Sequence, residues 1–264
     1  MITRHYPMLL LSIILLGGTL ASCQEDDIND KEPESSIQLA SNDTLGQYLV
    51  DQDGYTLYFF TQDVSGNSDC NGDCANNWPI VQNESARLGS GLQDADFGSV
   101  SWEGDAVQTT FKGWPLYRFQ GDSQPGEING DGQDGHWFVA KPDYSVMLAH
   151  QVIEGDTLSQ YIVDPEGRTL YYHFPDEQDV SNCKVGCIEE RPVFFAGENL
   201  ILPSGLGLDK FDIIVREDGK RQSSYKKRAM YSYVQDGFRG SILSHIAADW
   251  TVARVSWTKP GEGD

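Results

Sequence analysis

Positive charge is scarce in this sequence. Nineteen Lys and Arg stand against 40 Asp and Glu in 264 residues, a formal net charge of −21. A field of that sign repels phosphate, which argues against nucleic acid or an anionic membrane surface as a partner held by charge. Sustained helical periodicity is also lacking. So are the familiar catalytic signatures: there is no Gly-x-Ser-x-Gly elbow, Walker loop, dinucleotide fingerprint or zinc-protease helix. No Cys-x-x-Cys-His offers covalent haem a site, and neither cysteine pair has a histidine beside it at zinc-site spacing. His136 and His245 lie near Trp137 and Trp250, His150 and His173 stand apart, and none are four residues apart as helical metal ligands would be. Nothing is left to name as nucleophile or base, so the chain reads as a non-enzyme with no cofactor.

Apolar residues are short of a membrane span as well. Met8 to Leu16 is too brief to cross a bilayer as a helix, and with Arg4 and His5 before it reads as an export segment. Leu20-Ala21-Ser22-Cys23 follows and resembles a lipobox, which makes residues 1–22 a lipoprotein signal peptide and Cys23 the lipidated residue. The expected mature protein is held on the membrane by its lipid and does not span it. Glu25, Asp26 and Asp27 continue an acidic tether over 23–42 and resemble the tag that sends some lipoproteins to the cell surface. The expected address is the bacterial outer membrane, at the cell surface or on the periplasmic side. The other four cysteines form two pairs of equal spacing, Cys70/Cys74 and Cys183/Cys187. In an oxidising compartment each pair is expected to close a small disulfide clip.

What the chain does contain is repetition. Thr56-Leu57-Tyr58, Cys70, Cys74, Pro79 and Trp137 all recur 113 residues later, which divides the chain into repeats at 43–150 and 151–264. Inside each repeat an aromatic box, Tyr-x-(aromatic or His)-x-x-Asp, occurs twice. The four copies are Tyr58/Phe60/Asp63, Tyr117/Phe119/Asp122, Tyr171/His173/Asp176 and Tyr231/Tyr233/Asp236. The glycine before the second box is Gly113; Lys227 replaces it in the fourth.

The box reads as a hairpin, with Tyr48 to Val50 and Thr56 to Phe60 as strands and Asp51 to Gly54 as the turn. Tyr58 and Phe60 then face one way, Leu57 and Phe59 the other, and both faces are expected to be covered. Asp63 falls just past the strand, where it can accept backbone N–H groups or a tyrosine hydroxyl. Further strands are expected at 107–111, 136–140, 211–216 and 250–257, and one helical turn at 74–78 with Asp73 as its N-cap. With 27 glycines and 11 prolines punctuating short strands, the fold class is all-β. Two tandem homologous β domains, each of two hairpin-based half-repeats, are expected; the alternative is a single pseudo-symmetric four-unit β body.

The lipobox, the Tyr58 box, Cys70 to Cys74 leading to Trp78-Pro79, and Gly113 to Asp122 leading to His136-Trp137 together resemble the secreted-repeat bacterial lipoproteins marked by a Tyr-x-(Phe/Trp/Tyr)-x-x-Asp motif. That family carries no assigned function. The second repeat departs from the pattern at Val185, in place of the clip glycine, and at Arg191, in place of the tryptophan. One stretch hints at metal: Glu127, Asn129 and Asp131 alternate ahead of Gly132 like the front half of a calcium loop. The expected role is a binding or scaffold module at the envelope, with an envelope protein or a small ligand as partner. The alternatives are an accessory to extracytoplasmic redox chemistry and a calcium-stabilised adhesin-like module.

Overall fold

Aromatic and β-branched residues between glycine turns give short strands, fourteen of them among the described residues. The structure, a computed structural model, describes residues 1–3, 36–82, 87–153, 158–243 and 248–256. Cys23, most of the tether, His245 and Trp257 lie outside these. In the first repeat β1 (Ile37–Asn42) pairs with β2 (Gly46–Asp51). Next come β3 (Tyr58–Phe60) and the short helix α1 (Asp73–Asn77), then a sheet of β4 (Phe97–Ser101), β5 (Val107–Phe111) and β6 (Trp114–Pro115). The repeat closes with β7 (Trp137–Val139), which pairs with β3. The second repeat follows the same plan. β8 (Met147–Val152) pairs with β9 (Leu158–Val163), and β10 (Tyr171–His173) is followed by α2 (Cys187–Glu190). A sheet of β11 (Phe211–Val215), β12 (Arg221–Tyr225) and β13 (Arg228–Ala229) comes next, and β14 (Trp250–Val252) pairs back with β10. The chain is all-β with tandem repeats, and Glu34–Asp264 forms one compact unit.

Several details differ from the sequence expectation. The 48–50/56–60 hairpin is reduced to a single bridge, Val50 to Thr56, because Asp51 folds its own turn by accepting the N–H groups of Asp53 and Tyr55. β3 instead finds its ladder with β7, 79 residues away in register at Phe59–Phe138. Residues 37–42, read as the end of the tether, are strand β1, whose Ile37 is fully buried. The boundary at 150/151 falls inside β8. Helix α1 begins at Asp73 itself, with Gly72 as its cap at φ 55 and no side-chain cap bond. In the second clip Gly186, at φ 90, takes that cap position one residue after Val185.

Alternation holds for Tyr58 and Phe60, which share a core cluster. Leu57 and Phe59, expected together on the other face, are parted: Leu57 enters a second cluster and Phe59 a third that spans both repeats. That third cluster joins Phe59, Val64, Trp114 and Phe138 to Leu148, Ile162, Leu170, Tyr171 and Val252. One long side chain crosses the same junction. Arg239 donates from Nε to the carbonyl of Val64 (2.6 Å) and from Nη1 to that of Lys112 (2.9 Å), with its guanidinium 4.8 Å from the centre of the Trp114 ring. Trp114 Nε1 in turn donates to the carbonyl of Pro165 at 3.0 Å.

The two-residue turns between β5 and β6 and between β12 and β13 both need positive φ at both positions. The first uses Lys112 (φ 48) and Gly113 (φ 76); the second uses Lys226 (φ 49) and Lys227 (φ 61). A side chain in that region is strained and glycine is not, so Lys227→Gly is expected to stabilise the protein by about 0.5–1 kcal/mol. Chemical denaturation of the variant checks this; unchanged or lower stability would contradict it.

Candidate functional site

Each box places a tyrosine on a strand (Tyr58, Tyr171) or on an isolated bridge just past one (Tyr117, Tyr231), with an aspartate in the turn behind it. The tyrosine of one box donates to the aspartate of the other box in the same repeat. Tyr58 reaches Asp122 Oδ2 at 2.6 Å while Tyr117 reaches Asp63 Oδ2 at 2.6 Å. In the second repeat Tyr171 donates to Asp236 and Tyr231 to Asp176, both at 2.7 Å. The two tyrosines of a repeat also face each other as backbone bridge partners, which sets the exchange. Each aspartate spends its other oxygen on closing its own loop. Asp63 Oδ1 accepts the N–H of Asp69, Asp122 Oδ1 that of Asn129, Asp176 Oδ1 that of Asn182 and Asp236 Oδ1 that of Leu243. The motif is therefore a reciprocal clasp, repeated.

Burial dominates the electrostatics of the clasps. It pushes the Asp63 carboxyl up to about 7, against the lowering influence of the Tyr117 and Asp69 bonds, and it raises Asp122 and Asp236 as well. The phenols of Tyr58, Tyr117 and Tyr231 are held far above their ordinary range, first by burial and then by the carboxylate each one faces.

Beside the first pair of clasps lies a four-ring stack. Phe60 sits on Trp137 (4.3 Å between ring centres, 16°), Trp137 on Trp78 (3.8 Å, 2°) and Trp78 on Phe119 (4.4 Å, 28°). Tyr117 meets Trp137 edge-on at 5.0 Å, and Tyr58 meets Trp78 at 5.4 Å. The second repeat keeps the stack with other chemistry: His173 on Trp250 (4.5 Å), then the Arg191 guanidinium 5.0 Å from Trp250 and 3.4 Å from Tyr233. Arg191 thus fills the slot of Trp78 as a flat cation between two rings. Two more tryptophans are exchanged the same way. Trp102 Nε1 donates to the carbonyl of Cys70, and Arg216 Nη2 to that of Cys183; Trp114 has Arg228 in its place, whose Nη1 donates to the carbonyl of Asp176. A planar N–H donor is retained each time, and the indole is not.

Both clips are disulfides, with Cα atoms 5.3 Å apart in each. The sulfur of Cys70 is packed in the same cluster as Trp78 and Trp137. In the acidic stretch the Asn129 amide donates to Glu127 Oε2 at 3.3 Å. Glu127 accepts from the N–H groups of Ser123 and Gln124, the Asn129 amide donates to the carbonyl of Gly121, and Asp131 Oδ1 accepts the N–H of Val139. Among the described residues no three His, Cys, Asp or Glu gather as a metal-holding group.

A second cluster had no signal in the sequence spacing. His136 and His150 lie with ring centres 4.1 Å apart, and both Nδ1 atoms approach Thr61 Oγ1, at 3.4 and 2.8 Å. Burial, and then the neighbouring His136, push His150 down to about 4; burial also lowers His136, opposed by Asp134. An unfolded histidine takes its proton near 6.5, so the stability His150 contributes is complete above that pH and is lost as pH falls toward 4. Asp63, held at about 7, and Asp164, raised by burial to about 6, act with the opposite sign: their contribution is complete below the ordinary carboxyl range and is lost as pH rises through those values. Between pH 4 and 6.5 the slopes oppose, and a shallow stability profile is expected. His150→Asn removes one arm. Its melting temperature is expected to fall steadily with rising pH across that window, and a profile parallel to the native one would refute the assignment.

Two segments, residues 40–82 and 102–141, match the model of a family described as a secreted repeat of unknown function. They cover β2, the first box and its clip, and then the second box through to β7. Searches of curated proteins and of solved structures found no match.

Proposed function

We propose that this secreted-repeat chain is a lipid-anchored envelope protein that works as a non-enzymatic binding or scaffold module, with the first repeat as frame and the second as contact face. The clasps support the frame: the leading tyrosine and the aspartate of every box are engaged in holding the fold and leave little for a ligand. The observation that carries the reading is where apolar side chains reach solvent. Among the described residues from 36 onward, every large exposed hydrophobic lies at Val152 or later. The comparison is sharpest in the loop behind the fourth box, where Val234, Phe238 and Leu243 are 57%, 71% and 47% exposed. The same loop of the first repeat carries Gln120, Gln124 and Asn129 at those places. Soluble proteins seldom gather apolar groups on one loop without a partner for them.

The repeat supplies its own control. A V234Q/F238Q/L243N variant carries side chains that an equivalent loop already tolerates, so it should fold. A photo-crosslinker at position 238 in producing cells is expected to give a discrete adduct that the flanking substitutions V234Q and L243N weaken, and a crosslinker at 124 is expected to give none. Equal adducts at both positions, or none at either, would refute the contact face. For the anchor, Cys23→Ala is expected to move the protein from the membrane to the soluble fraction; unchanged partition would remove the lipid from the account.

A further inference from the structure

Beyond the binding reading, and independent of it, we propose that the first repeat holds a one-electron relay: the stacked Trp78–Trp137 pair passes an electron to an outer-sphere metal-centre oxidant and is refilled by Tyr117 or Tyr58 across the clasps. Three observations lead there. The two indoles are parallel and 3.8 Å apart, so a positive hole on one is spread over both. Each indole has its own tyrosine edge-on, Tyr117 at Trp137 and Tyr58 at Trp78. Each of those phenols already points its O–H at a buried carboxylate 2.6 Å away.

The oxidant's metal gains one electron and the Trp pair becomes a radical cation. Tyr117 gives the pair an electron while its O–H bond breaks and the proton passes to Asp63 Oδ2. The result is neutral indoles, a phenoxyl at Tyr117 and a carboxylic acid at Asp63; reduction runs the same path backward. Tyr58 and Asp122 form the second such arm. A carboxylate held toward the protonated state by burial suits the acceptor's part. The way in is short, since Phe119, stacked on Trp78, lines a surface recess of about 340 Å³ with Tyr55, Arg118 and Asp122.

The second repeat separates relay from packing. It keeps both clasps and an edge-on Tyr231–Trp250 contact at 5.1 Å, yet Arg191 breaks the indole pair. A fold that only needed a flat group in that slot is satisfied with arginine; a guanidinium carries no hole.

Flash photolysis of the purified protein with a ruthenium polypyridine sensitiser and an irreversible acceptor tests this, read by transient absorption and freeze-quench electron paramagnetic resonance. A persistent tyrosyl radical is expected. Its yield is expected to drop in Tyr117→Phe and in Tyr58→Phe and to be lost in the double variant, whereas the Tyr171→Phe/Tyr231→Phe double variant, which removes both clasp hydroxyls of the second repeat, should leave it unchanged. Spin trapping and peptide mapping of the native protein give the same answer without any variant, with adducts expected at Tyr117 and Tyr58. Adducts confined to half-buried Tyr55, or a yield that falls equally with the second-repeat substitutions, would overturn the proposal.

Discussion

Gly113→Ala is expected to lower the unfolding free energy by about 3 kcal/mol, three times what its backbone conformation alone accounts for. At φ 76 a Cβ costs about 1 kcal/mol. The rest comes from Arg239, because that Cβ would stand 1.8 Å from its Nη1. The guanidinium must leave, and it takes with it the bonds to the carbonyls of Val64 and Lys112 and the contact with Trp114. Charged donors to buried carbonyls contribute about 1.5–3 kcal/mol each, less the cost of holding a guanidinium out of water. That cost is visible here, since burial lowers Arg239 to about 10 and its Nη2 has no hydrogen-bond partner among the described residues. Arg239→Ala is therefore expected to cost about 3 kcal/mol by itself, a melting shift of roughly 6–12 °C for a chain of this size. In the Arg239→Ala background, Gly113→Ala should cost only the backbone share of about 1 kcal/mol. Additive losses would show that the arginine is not what glycine makes room for.

Asp63→Ala is expected to cost a similar amount, about 3 kcal/mol, because a fully buried carboxyl that accepts from both Tyr117 and Asp69 is removed. The Asp69 bond holds the start of the first clip, so the disulfide loop is expected to lose order as well, seen as faster amide exchange through residues 64–72. Asp63→Asn should cost less, since it still accepts the Asp69 N–H and its amide can donate to the Tyr117 oxygen. Asp176→Ala should match Asp63→Ala, as the equivalent site is 1% exposed. Asp236, only half-buried, should give the smaller loss among the clasps. Denaturant midpoints of the four alanine variants rank them, and a reversed order would argue that burial does not set the strength of the clasps.

Much of the frame was legible in the residues. Alternation put Tyr58 and Phe60 together in one cluster though it did not part Leu57 from Phe59, the cysteine spacing gave both clips, and the 113-residue offset gave the two repeats. Asp63 accepts both groups that its place behind the strand implied, a backbone N–H and a tyrosine hydroxyl. Which tyrosine was not legible, because the motif fixes Tyr and Asp five residues apart in one chain segment while the bond runs between segments 54 and 64 residues apart. Strand β3 was assigned its sequence neighbour because turn chemistry at Asp51 to Gly54 is local and visible. Its true partner, β7, is chosen by the Trp137 stack, which no spacing announces. The replacement of Trp78 by Arg191 read as a loss of pattern; in three dimensions it keeps the stack. His136 and His150 gave no warning either, since Thr61 gathers them from β8 and from the turn before β7. The Glu127 to Asp131 alternation, in contrast, was visible; it brings Glu127 and Asn129 into a hydrogen bond, while Asp131 turns to the N–H of Val139 in β7.

The exchange of partners between boxes is tested most directly by double-mutant cycles on the four groups of the first repeat. Tyr117→Phe with Asp63→Asn, and Tyr58→Phe with Asp122→Asn, should each show a coupling of about 1–2 kcal/mol, the size expected of a hydrogen bond to a buried carboxylate. Tyr58→Phe with Asp63→Asn, and Tyr117→Phe with Asp122→Asn, pair residues of the same box and should couple by less than about 0.5 kcal/mol. Strong coupling within a box and none between boxes would contradict the reciprocal clasp.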